Sequence, residues 1–436
     1  MTLQMILALG ILIFMIVLIM TDALPFGAPP ILACCLLVVA SSLFGADWEI
    51  QWDIPYAFAG FTNSTVWMVA FFMAVIAALQ KTRLIDKMKD VMLNLVERGG
   101  FKSYVLLILV VMAGAILMGN TTGYYMLVLT LVVTIPYNKQ LPTSKLLMPL
   151  GFATGNAIVP INVAFYFGIA VSLLEAAGYD GQPEMMGFTI MATVASIGFL
   201  VWTIVAYRLL PDHALAEDAV SSADSGSPKD GASKLASWQE YLTVVMFAIS
   251  VVGMMFANDL GNIAYVLPGI CAFVLLFAKV INFKEMRDGI FSPLILMMGG
   301  VIPVANALAD SGFTTMIGNA VAGMMGSAMP GFVVILVFCI LTSVCATFTG
   351  SNMGSVFIFA PIAIATCMSL GINPVGAAAA VTYAGWCGGF MPIDGLPALI
   401  LGMGNYTMVE FWKYSVPMYI VKIVALALGA SIAFPM

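Results

Sequence analysis

The sequence predicts an all-α polytopic membrane protein made of two inverted repeats, with about ten transmembrane helices and two re-entrant hairpins. Three observations support this fold class. The 436 residues are 62% hydrophobic and only 9% charged, whereas soluble domains carry roughly 25% charged residues. Apolar runs long enough to cross a bilayer recur along the whole chain. Two stretches, 118–162 and 350–394, match each other at one constant offset.

The matching stretches indicate an internal repeat. An offset of 232 positions superposes three pairs without a gap: Asn120 on Asn352, Pro142 on Pro374 and Pro160 on Pro392. In each copy a polar, Gly-containing tip interrupts an apolar segment, and a second apolar segment is later broken at Pro-Ile. Repeats that each carry half of one site are typical of secondary transporters.

The first repeat covers residues 1–210. Its first apolar run has neither a basic leader nor a small-residue cleavage site, so we expect a true span and not a signal peptide. Its expected elements are spans at 3–20, 31–45 and 61–80, an amphipathic surface helix at 81–102, a hairpin at 103–137, a broken span at 148–174 and a span at 187–209.

The second repeat covers residues 239–436 and follows a cytoplasmic linker at 211–238, which is rich in Ser, Ala, Asp and Gly. Its expected elements are spans at 241–257, 263–279 and 289–308, a hairpin at 330–370, a broken span at 376–403 and a last span at 416–434.

Each arm of the first hairpin is expected to be about 15 residues long, shorter than the roughly 20 that a crossing needs. The first hairpin is therefore predicted to be re-entrant, with its tip at Asn120, and the second interrupted stretch, with its tip at Asn352, is treated in the same way. Each half then has five crossings, an odd number, and the halves are antiparallel.

The loop charges support this topology. With both termini outside, every loop Lys and Arg lies on the inner side, and the opposite loops are acidic. We expect Lys422 near the inner end of the last span and no Lys or Arg at mid-membrane. The predicted location is the inner (plasma) membrane of the cell, in a multi-pass arrangement.

The interruptions predict a binding site at mid-membrane, because irregular backbone survives there only where it is buried or lines a cavity. Helix N-termini at such a site suit anions, and helix C-termini suit small cations, sodium included. The substrate-binding candidates are Asn120, Thr121, Thr122, Asn162, Ser351 and Asn352. The cation-binding candidates are Gly119, Asn120, Thr154, Asn156, Thr349, Asn352, Gly388 and Asp394.

Structural roles stay open for several of these residues. Asp394 is the one carboxylate that this topology places within the membrane, where it would ligate sodium, take up a proton, or stay protonated and bonded to backbone. Gly388 and Gly389 would also permit close helix contact. Polar residues such as Thr154 and Asn156 often simply bond to a neighbouring helix.

The two polar tips, each followed by a Gly-rich broken helix, resemble the divalent-anion:sodium symporters of the ion-transporter superfamily. In that family Ser-Asn-Thr tips hold substrate carboxylates and help to ligate sodium. The corresponding positions here are Gly119-Asn120-Thr121 and Ser351-Asn352-Met353, so one Ser and one Thr are replaced, and Asp394 is an added charge. The resemblance also implies a homodimer, each subunit having a scaffold domain and an elevator-like transport domain that contains both hairpins.

The predicted function is secondary transport of a small organic anion, of the di- or tricarboxylate class, coupled to sodium or protons. No cofactor and no nucleic-acid partner are expected; the bilayer and a second subunit are the expected partners. The alternatives are a sodium/proton antiporter that uses Asp394, or an inorganic-anion carrier of the same superfamily. The paired half-sites disfavour a channel or a scaffold. An enzyme is not expected, because the sequence offers neither a nucleophile–base pair nor a metal-ligand cluster.

Overall fold

The computed structural model describes residues 2–21, 23–25, 27–48, 50–118, 122–134, 142–157, 163–179, 181, 183–212, 235–325, 329–392 and 395–435. Within these ranges every regular element is a helix, in agreement with the predicted all-α class.

The first half contains ten α-helices within the described ranges. They are α1 (Leu3–Met20), α2 (Ala28–Trp48), α3 (Ile54–Ala57), α4 (Ser64–Leu79), α5 (Leu84–Arg98), α6 (Gly100–Met118), α7 (Thr122–Thr134), α8 (Thr143–Ala153), α9 (Ala164–Ala176) and α10 (Met185–Val205). Short 3-10 helices follow α3 and α10, at Ala59–Thr62 and Ala206–Arg208.

The second half contains eleven α-helices in the part that the structure describes. They are α11 (Ser237–Met255), α12 (Ala257–Leu260), α13 (Asn262–Phe277), α14 (Phe283–Ile290), α15 (Pro293–Asp310), α16 (Phe313–Met325), α17 (Gly331–Thr349), α18 (Asn352–Ser369), α19 (Pro374–Ala384), α20 (Gly395–Gly404) and α21 (Met408–Ala433).

The repeat found in the sequence extends to the order of the helices. Adding 232 to the bounds of α6 gives 332–350, and α17 covers 331–349. Adding 232 to the bounds of α8 gives 375–385, and α19 covers 374–384. The inverted orientation of the two halves stays a prediction.

The sequence analysis missed α16, which overlaps the segment 316–330 that corresponds to α5 at the same offset. Helix α5 was predicted as amphipathic from the six basic residues of 81–102, but α16 contains neither Lys nor Arg. Without charges to mark a polar face, its amphipathic character was not recognised.

Seven helices of the described chain are long and apolar enough to cross a membrane. They lie at Ala28–Gly45, Met185–Arg208, Ser237–Met255, Phe283–Asp310, Gly331–Thr349, Asn352–Ser369 and Met408–Ala433. Shorter apolar helices of 10–17 residues, such as Ser64–Leu79 and Pro374–Ala384, accompany them. The chain is therefore polytopic, while the count of ten crossings stays a prediction.

The expectation of short arms is wrong for one of the two arms of the first hairpin, and both arms of the second hairpin are long. Helix α7 has 13 residues, but α6, α17 and α18 have 19, 19 and 18. At 1.5 Å per residue, such helices are about 27–29 Å long, close to the hydrocarbon thickness of a bilayer. Arm length therefore does not establish re-entry, and the position of the tip must be considered instead.

The two ends of α4 differ in the charged residues that lie beside them. Beyond its C-terminal end, Lys81 forms an ion pair with Glu285 at 2.6 Å. At its N-terminal end, Asn63 donates a hydrogen bond to Glu175 at 2.6 Å. This separation agrees with the predicted grouping of the loop charges, while the sidedness of the two ends stays a prediction.

The apolar core is divided into two clusters of buried side chains. One joins α5–α8 to α20, the end of α10 and the first half of α21. The other contains α17–α19, the second half of α21 and most of the remaining helices. The arms of the first hairpin therefore belong to one cluster and those of the second hairpin to the other.

Candidate functional site

A cavity of about 270 Å³ lies where the interrupted helices of both halves meet. Its wall includes Tyr125 of α7, Asn156 after α8, Asn352 at the start of α18, Gly388 after α19 and Lys422 of α21. Three predicted site residues, Asn156, Asn352 and Gly388, are thus brought together.

The cavity lies at mid-depth of the helical bundle. Lys422 is midway along the 26-residue α21, and Gly350 and Asn352, at the tip of the second hairpin, line the same cavity. The tip therefore lies beside the middle of a long apolar helix and not at its end. This placement supports a re-entrant second hairpin more directly than arm length does.

The position of Lys422 corrects two expectations from the sequence. We expected no Lys or Arg at mid-membrane, and we expected Lys422 near one end of the last span. The predicted span began at Val416, but α21 begins two turns earlier at Met408 and places Lys422 near its centre. The side chain is buried, with 5% of its surface exposed.

Two hydroxyl groups predicted as ligands are used to build the second tip. Ser351 caps α18 by accepting a hydrogen bond from the backbone N–H of Gly354 at 3.1 Å. Thr349 donates to the carbonyl of Cys345 at 2.8 Å and accepts from the N–H of Ser351 at 3.2 Å. Gly350 ends α17 with a φ of 71°, the left-handed conformation that glycine adopts without steric cost.

Asn352 links this tip to the break after α19. With the amide oriented to satisfy its neighbours, the nitrogen donates to the carbonyl of Gly385 at 3.0 Å and the oxygen accepts from Trp386 Nε1 at 3.2 Å. One amide N–H and one oxygen lone pair are not used by these two bonds. The side chain thus has a structural role and retains capacity to bind a ligand.

The break after α8 contains a buried acceptor without a partner. The Asn156 amide nitrogen donates to the carbonyl of Phe152 at 2.7 Å, but its oxygen has no hydrogen-bond partner in the described structure. Only 3% of Asn156 is exposed. Because unsatisfied buried polar atoms are costly and rare, this oxygen is a candidate ligand atom. Thr154 differs, since its hydroxyl donates to the carbonyl of Gly151 at 2.7 Å.

Gly388 has the structural role that the sequence left open. A Cβ at this position would collide with the Thr347 hydroxyl and approach the Ser343 carbonyl at 3.3 Å. The absence of a side chain allows the broken segment to lie directly against α17 while it lines the cavity. Gly388 therefore permits the close contact with α17 and also contributes to the shape of the cavity.

Helix ends of both polarities face the cavity. Helices α8 and α19 end beside it, and Asn156 and Gly385, just beyond these ends, line its wall. Asn352 and Leu396, in the first turns of α18 and α20, line it too. Carbonyl ends carry partial negative charge and amide ends partial positive charge. The site is thus suited to hold a small cation and an anion together.

Tyr125, Trp386 and Lys422 are among the cavity residues that were not predicted. The Trp386 ring packs against Phe165 and Tyr166 at centroid distances of 5.0 and 5.1 Å, which fixes the indole next to Asn352. A signal for Lys422 was present, because an ionisable residue inside an apolar helix is a functional candidate by default.

Several predicted site residues lie outside the described structure. They are Gly119, Asn120, Thr121, Asn162, Asp394 and the side chain of Thr122. Their assignments as ligands stay predictions.

Comparison with known proteins gives the family. The sequence profile described as "Citrate transporter" matches residues 15–382, most of the chain. The chain belongs to the citrate transporter family. The resemblance to the divalent-anion:sodium symporters and the wider ion-transporter superfamily is thereby confirmed. The expectation that the chain is not an enzyme is confirmed too, since its family and its relatives are transporters.

Individual relatives match only part of this citrate-transporter-family chain. A segment of 161 residues is 29% identical to the uncharacterized transporter YfbS of Escherichia coli K12, covering 36% of the chain and 26% of that protein. A segment of 146 residues is 26% identical to human solute carrier family 13 member 4, covering 33% of the chain and 23% of that protein. The matches thus span about a quarter of each relative's length.

A solved structure supports the fold over nearly the whole length of this chain. The YdaH transporter of Alcanivorax borkumensis superposes with a TM-score of 0.64 at 15% identity, covering 94% of this chain and 98% of that one. At that identity the likeness shows the fold alone. Together with the family match and the apolar helices, it establishes an integral, multi-pass membrane protein of a transporter family.

Proposed function

We propose that this protein is a secondary active transporter that carries a small di- or tricarboxylate anion and couples its movement to sodium or protons. The observation that carries the proposal is the cavity at the junction of four interrupted helices, with helix ends of both polarities on its wall. Its volume of about 270 Å³ lies at the lower limit of ligand pockets, which suits a small solute.

The polar groups of the wall support a site for an anion and a cation together. The first turns of α18 and α20 offer backbone N–H groups to substrate carboxylates, with Asn352 beside them. The unpartnered Asn156 oxygen and the C-terminal carbonyls of α8 are oxygen ligands of the type that binds sodium. Asn120, Thr121, Asn162 and Asp394 complete the proposed set.

Alternating access is proposed to be of the elevator type, in a homodimer, with both termini outside the plasma membrane. Transport then requires the cavity to open first on one side and then on the other. The cavity lies between two hydrophobic clusters, each of which contains one hairpin. In an elevator, both hairpins, one from each cluster, belong to the transport domain and move together with the cavity between them.

Uptake by proteoliposomes tests this function. Purified full-length protein is reconstituted, and uptake of labelled citrate and succinate is measured with an inward sodium gradient, with a proton gradient and with neither. We expect accumulation of at least one of the two anions, driven by one of the gradients. Absence of accumulation of both anions under all three conditions would refute the proposal.

Matched asparagine variants link the activity to the cavity. Asn156→Ala and Asn352→Ala remove amides from the cavity wall, whereas Asn94→Ala changes an exposed amide on α5. We expect the two cavity variants to lower uptake about tenfold or more, which corresponds to the loss of a contact of about 1.4 kcal/mol. The Asn94→Ala variant should leave uptake unchanged. Equal uptake by all three variants would indicate that the binding site lies outside this cavity.

A sodium/proton antiporter is the second candidate. The free Asn156 oxygen and the carbonyl end of α8 favour a cation at the site even without an organic anion. This function predicts sodium-dependent dissipation of a pH gradient in vesicles without carboxylate, abolished by Asp394→Asn. An inorganic-anion carrier predicts instead that sulfate or phosphate is accumulated in place of citrate.

A further inference from the structure

A buried lysine in the cavity wall adds a charge that the dipoles and amides do not supply. Lys422 is 5% exposed and lines the same cavity as Asn156 and Asn352. The same wall includes Gly385, Gly388 and Gly389, which lie at the break after α19. The Lys422 side chain is therefore placed beside that break.

Within the described residues, neither an ion pair nor a hydrogen bond is formed by the Lys422 side chain. The ion pairs of that part of the chain involve Lys81, Arg83, Lys145 and Arg287, all at the ends of helices or beyond them. An ammonium group at mid-membrane is costly unless a counter-charge lies close to it. Packing does not require it there, because a methionine of similar length would fill the same space.

We propose that Lys422 is a substrate-binding residue that forms an ion pair with a carboxylate group of the transported anion. The ion pair supplies a counter-charge that the described residues do not provide when the site is loaded. It also makes a negative charge on the solute a condition for tight binding. This inference rests on the proposed function and deepens it, since it names the residue that selects anions.

An ion pair with Lys422 also bears on ion coupling. A dianion held only by dipoles needs co-bound cations to offset its charge in a low-dielectric site. The Lys422 ammonium group in such a pair offsets one of these charges. A loaded site with Lys422 thus needs one cation fewer than a site without it.

Binding to charge variants tests the proposal. Purified full-length protein in detergent is titrated with citrate and with succinate in sodium buffer, and affinities are measured by calorimetry. The variants are Lys422→Met, Lys422→Gln and Lys422→Arg, with Lys413→Met as the matched control, because Lys413 is an exposed lysine on the same helix.

We expect both neutral variants to bind the anion at least about 30-fold more weakly, because truncating one partner of a buried ion pair costs 2 kcal/mol or more. Lys422→Arg should stay within about tenfold of the wild type, and Lys413→Met should equal it. A second readout separates binding from folding: the neutral variants should melt no earlier than the wild type without ligand and should show no ligand-induced shift.

Two results would overturn the assignment. One is binding by Lys422→Met within threefold of the wild type. The other is failure of both neutral variants to fold while Lys422→Arg folds, which would make the charge structural. If the wild type binds neither citrate nor succinate, the proposed function fails first, so the two failures are distinguishable.

Discussion

Trp386 holds Asn352 in place at the tip of the second hairpin: the indole Nε1 donates to the asparagine oxygen at 3.2 Å, and the asparagine nitrogen donates to the Gly385 carbonyl at 3.0 Å. These two bonds connect the start of α18 to the break after α19. A tip residue that was predicted to touch substrate is thus positioned by a residue from the broken helix. The geometry of the site depends on this connection.

Trp386→Phe should weaken the connection while it preserves the aromatic packing. The variant keeps a ring against Phe165 and Tyr166 but removes the Nε1 donor, which leaves the Asn352 oxygen without it. We expect a loss of about 1 kcal/mol in stability and weaker anion binding, measured by thermal unfolding in detergent and by calorimetry. Trp412→Phe, at a 41% exposed tryptophan, is the control; identical behaviour of the two variants would contradict the positioning role.

Asn156→Ala should reduce the apparent affinity for the coupling cation. Its oxygen is buried and unpartnered within the described structure, so the substitution deletes a candidate ligand atom, along with the hydrogen bond that the amide nitrogen donates to the Phe152 carbonyl. We expect the sodium concentration for half-maximal uptake to rise about tenfold, equivalent to about 1.4 kcal/mol. Uptake is measured at graded sodium concentrations, with Asn94→Ala as the exposed control. An unchanged sodium dependence would exclude this oxygen as a ligand.

Gly388→Ala should destabilise the protein by about 1–3 kcal/mol through overpacking. The added methyl group would collide with the Thr347 hydroxyl. Thr347→Ala in the same chain removes that hydroxyl, so the double variant should recover part of the lost stability, because the two sites are in contact. Gly402→Ala is the control, since a Cβ there meets no neighbour within 4 Å. Additive losses in the double variant would show that the collision is not the cause.

Glu285→Gln should lower stability at neutral pH by up to about 1 kcal/mol, because the pair with Lys81 is partly exposed. Burial alone would raise the pKa of Glu285, but the hydrogen bonds from Lys81 and from the Asn282 backbone, and the charge of Lys81, lower it overall. A lowered pKa means that the stabilisation is present above the ordinary glutamate value and disappears as the pH falls through the folded-state pKa.

Thermal unfolding of the wild type and of Glu285→Gln is measured between pH 7 and pH 4. The gap between wild type and Glu285→Gln should close toward the acidic end. Asp288→Asn breaks an exposed pair with Arg287, 53% exposed on both sides, and should change stability little at any pH. A gap that widened in acid would reverse the sign of the proposed linkage.

The breaks were predictable because their signals are local. Gly350 has a left-handed φ that glycine tolerates, Ser351 is a preferred N-cap, and Pro374 occupies the first turn of α19. Each effect involves neighbours within four residues. The order of the helices followed from the apolar runs for the same reason.

Other features could not be read from neighbouring residues. The pairing of Trp386 with Asn352 joins positions that are distant in sequence, and so does the contact of Gly388 with Thr347. Helix α6, the first arm of the first hairpin, is longer than expected. It begins at Gly100, three residues before the predicted start, because a helix extends into weakly apolar residues once it is nucleated.

By itself, the sequence determined a membrane-embedded, all-helical chain with a repeated plan, because apolar content and residue spacing fix which segments leave water and where their backbone must break. Only the tertiary structure decided what faces the central cavity. It connected Trp386 to Asn352, left the Asn156 oxygen without a partner in the described structure, and brought Lys422 to the middle of the bundle. The physical reason is that burial and partner choice depend on how helices pack across the bundle, and that packing joins residues whose spacing along the chain carries no common signal.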